Sequence, residues 1–215
     1  MDWSILTKID WSLLNKIDWS FLGKWYTLLP AAFTVGPLFS AFGIDAAAHE
    51  AIHARGGGKQ LIEKNEVTRT INSIVVGSPF WIAASSILLQ PFWGGGFPFK
   101  YAGVLLLGGI MKVLYGRSYI YDSSINESSR WWDPIWQRWP IKNVWDEIGG
   151  LFTRFAYPSV HTLAVAGAVL FGVHSPAAWV LLGLVVAWLI LVHHHWLSDV
   201  LSASLLVAAA SMLLN

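Results

Sequence analysis

Residues 176–195, PAAWVLLGLVVAWLILVHHH, form an apolar stretch without a charged side chain from Trp179 to Val192. About 20 such residues are what an α-helix needs to cross the hydrocarbon core of a bilayer. Five other apolar stretches, each of about 17–23 residues, have no more than two charged side chains and are also long enough to cross. The sequence therefore predicts six transmembrane spans, at residues 26–48, 71–92, 98–116, 158–174, 176–195 and 198–214.

The composition of the whole chain agrees with this prediction. Of its 215 residues, 55% are hydrophobic and 13% are charged, against about 25% charged in ordinary soluble domains. We therefore predict an all-α, integral, multi-pass membrane bundle of about six helices over residues 26–215. A net charge of +1 without a polybasic segment argues against nucleic acid as a partner. Because the chain has no cysteine, it has no thiolate nucleophile and no disulfide.

The N-terminal arm, residues 1–25, contains an eight-residue unit three times: DWSILTKI, DWSLLNKI and DWSFLGKW. An eight-residue step on an α-helix advances about 80° beyond two turns, so the three Asp-Trp-Ser units would not share one face. Each unit can instead start a short helical turn, with Asp or Ser as its cap and Lys at its end. We predict that the arm lies at the membrane interface. Docking of the arm on another membrane protein is the alternative.

The lid segment, residues 117–157, is the longest stretch between predicted spans. Its tryptophans alternate with charged side chains and are Trp131, Trp132, Trp136, Trp139 and Trp145. Such a segment most simply lies on the membrane surface and covers the bundle, because indoles favour the headgroup level. Alternatively, these tryptophan-rich faces contact planar ligands or partner subunits.

Three polar clusters lie at the ends of predicted spans. They are Lys112-Val-Leu-Tyr-Gly-Arg117, Pro158-Ser-Val-His161-Thr and His195-Trp-Leu-Ser-Asp199-Val. Successive spans alternate in direction, so all three clusters are expected on one side of the membrane. A single cap or a single snorkelling lysine would explain any one of them. Ionisable groups at span ends are costly, and three clusters on one side indicate a shared functional site.

In the order, spacing and position of these clusters, residues 71–214 resemble the type 2 phosphatidic acid phosphatase superfamily, which includes the vanadium haloperoxidases. The signatures of that family are a Lys followed by Arg-Pro, a Pro-Ser-Gly-His, and an Arg followed at a distance by His-x-x-x-Asp. The resemblance implies a phosphatidic acid phosphatase-like fold. It also implies hydrolysis of a lipid phosphate, or of a polyprenyl diphosphate, through a phosphohistidine, with membrane lipids as partners.

The resemblance assigns a role to each cluster. His195 would attack phosphorus, Asp199 would hold its imidazole in the productive tautomer, and His161 would protonate the leaving alkoxide. The residues that would bind the phosphate are Lys112, Arg117, Ser159 and the backbone N–H of Val160. This arrangement requires no metal and no other cofactor.

The chain departs from the family at three positions. The family Arg-Pro falls at Tyr119-Ile120, the glycine of the second motif at Val160, and the arginine of the third motif at Leu189. Losing a charge-assisted donor from a phosphate site costs about 2–4 kcal/mol of transition-state stabilisation. Arg130 or Arg154 could replace the missing guanidinium.

These departures keep a second function open. The chain would then be a catalytically degenerate relative that serves as a small subunit of a larger membrane complex, for example a pigment-bearing photosynthetic one. Under that alternative, His193 and His194 would bind a metal or a tetrapyrrole, because neutral imidazole is a versatile ligand.

A second motif, His49-Glu-Ala-Ile-His53, matches the H-E-x-x-H of zinc proteases. The third histidine of the longer protease signature is Lys59 here, so a solvated helix end is favoured over a zinc site. The membrane orientation also stays open. The family often places its motifs away from the cytoplasm, whereas the excess of lysine and arginine on the motif side places it in the cytoplasm by the positive-inside rule.

Overall fold

The structure is a computed structural model that describes residues 24–88, 96–117, 156–173, 175–192 and 195–214. These residues form α-helices joined by turns and contain no strand, so the predicted all-α class is confirmed for them. The helices in chain order are α1 (Trp25–Ala41), α2 (Ile44–His53), α3 (Lys59–Glu63), α4 (Glu66–Leu88), α5 (Phe97–Tyr115), α6 (Val160–Phe171), α7 (Pro176–Leu191) and α8 (Leu197–Leu214).

Three of the described helices, α4, α5 and α8, are long and apolar enough to cross a membrane. The pair α1 and α2 makes a fourth if the two are one bent span. α6 and α7 also lie in predicted spans but have 12 and 16 residues. A helix of 12 residues reaches about 18 Å, less than the roughly 30 Å of the hydrocarbon core. The described helices are thus compatible with a membrane protein, and the six spans stay a prediction.

The first predicted span, residues 26–48, contains a bend that hydropathy did not indicate. α1 and α2 meet at an angle of 68°. Gly43 lies between them with φ of 67°, in the left-handed region that glycine adopts without steric cost. The bend directs the first turn of α2 toward the start of α8, where Asp45 accepts a hydrogen bond from the backbone N–H of Ser198 at 3.0 Å.

A proline inside α1 is compensated by a neighbouring helix. Pro37 has no N–H to donate, and its ring crowds the carbonyl of Phe33 four residues earlier. That carbonyl accepts a hydrogen bond from the hydroxyl of Tyr115 on α5, at 2.7 Å. Membrane helices tolerate proline where neighbours bond the backbone groups that it frees. The end of α5 that precedes Arg117 is therefore tied to α1.

Tyr157 fixes α1 at a second place. Its hydroxyl accepts from the N–H of Gly36 at 3.3 Å and donates to the carbonyl of Ala32, the two groups that a regular helix would join directly. Burial raises the pKa of Tyr157 above its ordinary value, against the effect of hydrogen bonds with Ser202 and Gly36. The hydroxyl therefore stays protonated and able to donate. This contact joins α1 to the residues that lead into α6.

α6 is the central helix of the described bundle. It contacts α4, α5, α7 and α8, and its residues from His161 to Val169 are buried. At Gly108 of α5, an added Cβ would lie 2.2 Å from Cδ1 of Leu163, so the two helices pack closely because this position has no side chain. α6 is held on several sides, and its N-terminus carries Ser159 and His161.

Several predictions concern residues outside those that the structure describes. They are the interfacial location of the N-terminal arm up to residue 23, most of the lid segment from residue 118 to 155, and ligand binding by His193 and His194. The tryptophan-rich stretch and the replacement arginines, Arg130 and Arg154, fall in the same group. These remain predictions from the sequence.

Candidate functional site

The three polar clusters of the sequence meet on one side of the described bundle. The backbone N–H of Ala156 donates to the carbonyl of Arg117 at 2.6 Å, which joins the first cluster to the second. The N–H of Ser159 donates to the carbonyl of Asp199 at 3.1 Å, which joins the second cluster to the third. Backbone hydrogen bonds therefore hold segments that lie far apart in the sequence at one site.

His161, His195 and Asp199 form a consecutive chain of polar contacts. Nδ1 of His161 lies 3.1 Å from Nε2 of His195, and Nδ1 of His195 lies 3.4 Å from Oδ2 of Asp199. All three side chains are buried. Because Asp199 can only accept when ionised, Nδ1 of His195 carries the proton, and Nε2 is then the acceptor for Nδ1–H of His161.

The start of α8 orients Asp199. The backbone N–H of Trp196, the residue before the helix, donates to Oδ2 of Asp199 at 3.0 Å. This is the reciprocal half of a capping box, in which an acidic side chain in the first turn accepts from the N-cap amide. This hydrogen bond therefore fixes the carboxylate of Asp199 relative to His195, which directly precedes Trp196 in the chain.

Arg117 is fully buried and is bound by carboxylates. Its Nη1 donates to Oδ1 of Asp199 at 2.7 Å and to Oγ of Ser198 at 2.6 Å. Its Nη2 donates to Oδ2 of Asp45 at 2.6 Å and to Oγ of Ser40 at 3.2 Å. We call Asp45, Arg117, Ser198 and Asp199 the carboxylate–guanidinium cluster. The guanidinium expected to bind phosphate thus binds two carboxylates.

Sequence reasoning missed Asp45, Ser40 and Ser198. Asp45 lies inside the first predicted span, and an ionisable residue there is a functional hypothesis by default. That signal was present in the sequence. The partners of Asp45 were not visible, because they lie 72 and 153 residues away in the chain.

Lys112 and Ser159 both interact with Asp199, Ser159 through its backbone N–H. Lys112 is buried on α5 and interacts electrostatically with Asp199. Ser159 is the N-cap of α6, and its Oγ accepts from the N–H of Thr162 at 3.2 Å. Val160 is the first residue of α6. The first amides of a helix and its dipole favour an anion, so this helix end can bind a phosphate beside His161.

Leu189, at the position of the third-motif arginine, belongs to the hydrophobic core of the protein. It is fully buried and packs with Val75, Val165 and Val185. Its carbonyl accepts from the N–H of His195 at 3.3 Å. A guanidinium at this position would therefore enter apolar packing with these three valines.

The zinc-protease motif lies beside the site. The rings of His49 and His53 are stacked with centroids 6.2 Å apart, and the ring of His49 lies 5.6 Å from that of Trp196. Among the described residues, no group of three or more His, Cys, Asp and Glu side chains is arranged to hold a metal ion. The described part of the chain thus supplies no third ligand for a zinc protease.

No protein-family model, no curated protein and no solved structure matches the chain. The likeness to the phosphatidic acid phosphatase superfamily therefore stays a resemblance of motifs.

Proposed function

We propose that this chain is a membrane hydrolase of lipid phosphates, or of polyprenyl diphosphates, that acts through a phosphohistidine at His195. The observation that carries the proposal is the buried sequence of contacts from His161 through His195 to Asp199, at 3.1 and 3.4 Å. It supplies a nucleophile, a group that fixes the tautomer of the nucleophile, and a proton donor next to the reacting atom.

The first chemical step follows from the protons of this chain of contacts. Asp199 accepts from Nδ1–H of His195, which leaves the lone pair of Nε2 for attack on phosphorus. The Nε2–P bond forms as the P–O bond to the lipid breaks. His161 enters this step as the imidazolium, protonated on both ring nitrogens, and gives its Nδ1 proton to the leaving oxygen, which leaves a neutral imidazole. The products are a phosphohistidine and a free lipid alcohol, or the polyprenyl monophosphate when the substrate is a diphosphate.

The second step releases phosphate. His161, now without its Nδ1 proton, takes a proton from water while the water oxygen attacks phosphorus. The P–N bond breaks, and both histidines return to their starting protonation. Because the two imidazoles touch in the structure, the phosphate has to enter between them and widen the 3.1 Å contact. In this proposal Lys112, Ser159 and the N–H of Val160 bind the oxygens of that phosphate.

We expect a rate of phosphate release well below that of a site that has both motif arginines of the family. Each missing charge-assisted donor lowers the rate by about 10²–10³. Leu189 cannot contribute, and Arg117 binds Asp45 and Asp199. The expected activity is a slow turnover of the lipid phosphate or polyprenyl diphosphate.

The test is phosphate release by the purified protein from vesicles that contain phosphatidate or a polyprenyl diphosphate. We expect release that falls by at least about 10²-fold in His195→Ala, together with an acid-labile phosphoprotein that this variant does not form. His53→Ala is the matched control, because His53 is exposed and outside the chain of contacts. Release that is equal in wild type and His195→Ala would refute the proposal.

The proposal also includes the finer topology, a six-span bundle of the phosphatidic acid phosphatase type with all three motifs on one side. Large apolar side chains such as Trp81, Leu106 and Leu184 are exposed on the helices, as a lipid-facing surface requires. Since the chain has no cysteine, single cysteines can be introduced at each helix end. Labelling by an impermeant maleimide at the exposed positions Lys64, Gly96 and Leu214 should then give the sides of these ends.

A second candidate function is favoured by the packing of Leu189 and the pairing of Arg117. A chain that has filled its arginine position with hydrocarbon can have lost catalysis and serve as a subunit of a larger membrane complex, for example a pigment-bearing one. In that case no phosphate is released, and mild solubilisation of native membranes yields the chain with other subunits. Removal of residues 1–23 would then weaken the assembly without affecting the described bundle.

A further inference from the structure

Asp45 is a buried carboxylate that the proposed chemistry does not use. It lies at the first turn of α2, directly after the bend of the first span, and is 1% exposed. Three of its hydrogen bonds are with Arg117 and Ser198, which both lie next to Asp199. Oδ2 accepts from Nη2 of Arg117 and from Oγ of Ser198, both at 2.6 Å, and Oδ1 accepts from the N–H of Ser198 at 3.0 Å.

These contacts act on the first turn of α8. Ser198 precedes Asp199 directly, so fixing both the backbone N–H and the hydroxyl of Ser198 fixes the direction in which the Asp199 side chain leaves the helix. Arg117 is the second connection, because its Nη2 binds Asp45 while its Nη1 binds Oδ1 of Asp199. Asp45 thus reaches Asp199 by two routes, one through the backbone and one through the guanidinium.

The charge of Asp45 matters as well as its shape. Arg117 divides its positive charge between two carboxylates at nearly equal distances, 2.6 and 2.7 Å. If Asp45 is replaced by a neutral side chain, the guanidinium of Arg117 has only Asp199 as a charged partner and attracts it more strongly. The contact of Asp199 with His195, already long at 3.4 Å, would then weaken. Asp45 therefore balances Arg117 so that Oδ2 of Asp199 stays available to His195 as well as to the N–H of Trp196.

We propose that Asp45 is a positioning residue that holds Ser198 and Arg117 so that Asp199 orients the imidazole of His195. Its effect on catalysis rests on the proposed function, whereas its effect on the contact between Asp199 and His195 does not. Asp45 does not touch the reacting atoms. The first span of the bundle thereby becomes part of the site, although the three motifs all lie after residue 111.

The experiment compares Asp45→Asn, Ser198→Ala and the double variant with wild type. Asparagine keeps the shape and one acceptor of Asp45 but removes its charge. Glu50→Gln is the matched control, because it removes an exposed carboxylate from the same helix. We expect kcat to fall by about tenfold or more in Asp45→Asn with KM within twofold, since the substrate does not touch Asp45. The decrease in kcat of the double variant should be smaller than the product of the two single decreases, because Asp45 and Ser198 bind each other directly and one route to Asp199 contains both.

A spectroscopic measurement separates this inference from the proposed function. In protein labelled with ¹⁵N-histidine, the Nδ1–H proton of His195 that bonds Asp199 gives a resonance that His195→Ala identifies. We expect this resonance to shift in Asp45→Asn and in Ser198→Ala, and to stay unchanged in Glu50→Gln. The shift is expected whether or not wild type releases phosphate. If Asp45→Asn does not fold, the same comparison in Ser198→Ala decides.

The inference would be overturned if Asp45→Asn and Ser198→Ala both kept the His195 resonance of wild type and, in an active protein, also kept its kcat. Asp45 would then only stabilise the bend between α1 and α2. An inactive wild-type protein in which the resonance shifts in both variants would contradict the proposed function and leave the positioning role of Asp45 supported.

Discussion

Replacing Arg117 by glutamine tests whether this guanidinium is a structural centre or a phosphate ligand. The change removes the positive charge between Asp45 and Asp199, whose side chains are both fully buried in their ion pairs. Breaking a buried ion pair by removing one partner costs about 3–5 kcal/mol, because an uncompensated charge is left behind. We therefore expect Arg117→Gln to lose about 3–5 kcal/mol of folding free energy.

For a protein of this length, about 1 kcal/mol corresponds to roughly 2–4 °C in Tm. The expected decrease in apparent Tm is thus about 6–20 °C for Arg117→Gln in detergent. Arg69→Gln is the control, because Arg69 is exposed on α4. The double variant Asp45→Asn with Arg117→Gln should regain part of the loss, since one of the two carboxylates that lacked a cation is gone.

If Arg117→Gln instead unfolds within about 2 °C of wild type, roughly the effect of a surface change, then the carboxylate–guanidinium cluster does not hold the fold. A simultaneous rise in KM for a lipid phosphate would then identify Arg117 as the phosphate ligand that the motif resemblance implies. The contacts with Asp45 and Asp199 would in that case be a resting arrangement that substrate replaces.

Three further substitutions test the packing around the site. Gly108→Val should destabilise the fold by about 1–3 kcal/mol through overpacking against Leu163, whereas Gly108→Ala should cost less because only the end of that side chain has to move; thermal unfolding measures both. Tyr157→Phe should cost about 1–3 kcal/mol, since its hydroxyl bridges two backbone groups of α1, and the exposed Tyr26→Phe should be neutral. Leu189→Arg restores the family arginine to an apolar cluster, so it should lower Tm and the yield of folded protein without raising phosphate release.

The positions of the helices were predictable, because they depend on local hydropathy. Each predicted span holds a helix of the described structure, and the apolar segment from Pro176 to Leu191 is one of them. Their lengths were less predictable. α6 ends at Phe171 and is followed by Gly172, which shortens it to 12 residues although the hydrophobic sequence continues to Val173. The bend at Gly43 was missed, since a single glycine in an apolar run does not say whether its φ is positive.

The proximity of His161, His195 and Asp199 was predictable from the sequence, whereas Asp45 and the pairings of Arg117 were not. The order of the motifs indicated that His161, His195 and Asp199 would share one side, and their distances are those of a connected chain. Nothing in the sequence indicated that Arg117 would bind Asp45, because that contact joins residues 72 positions apart through a bend. Residue types identify which groups can ionise, whereas the fold decides which of them neutralise one another.

Charge balance is what separates the two candidate functions. Among the described residues, the buried site holds Asp45 and Asp199 against Lys112 and Arg117, so its charges cancel when both histidines are neutral. A lipid phosphate adds negative charge to a buried site, and such charge is costly without a partner. An active enzyme must therefore gain a positive charge as substrate enters, and protonation of His161, which the proposed transfer to the leaving oxygen also requires, supplies it. A subunit without catalysis needs no such change, and for it the balanced cluster is already the stable end state.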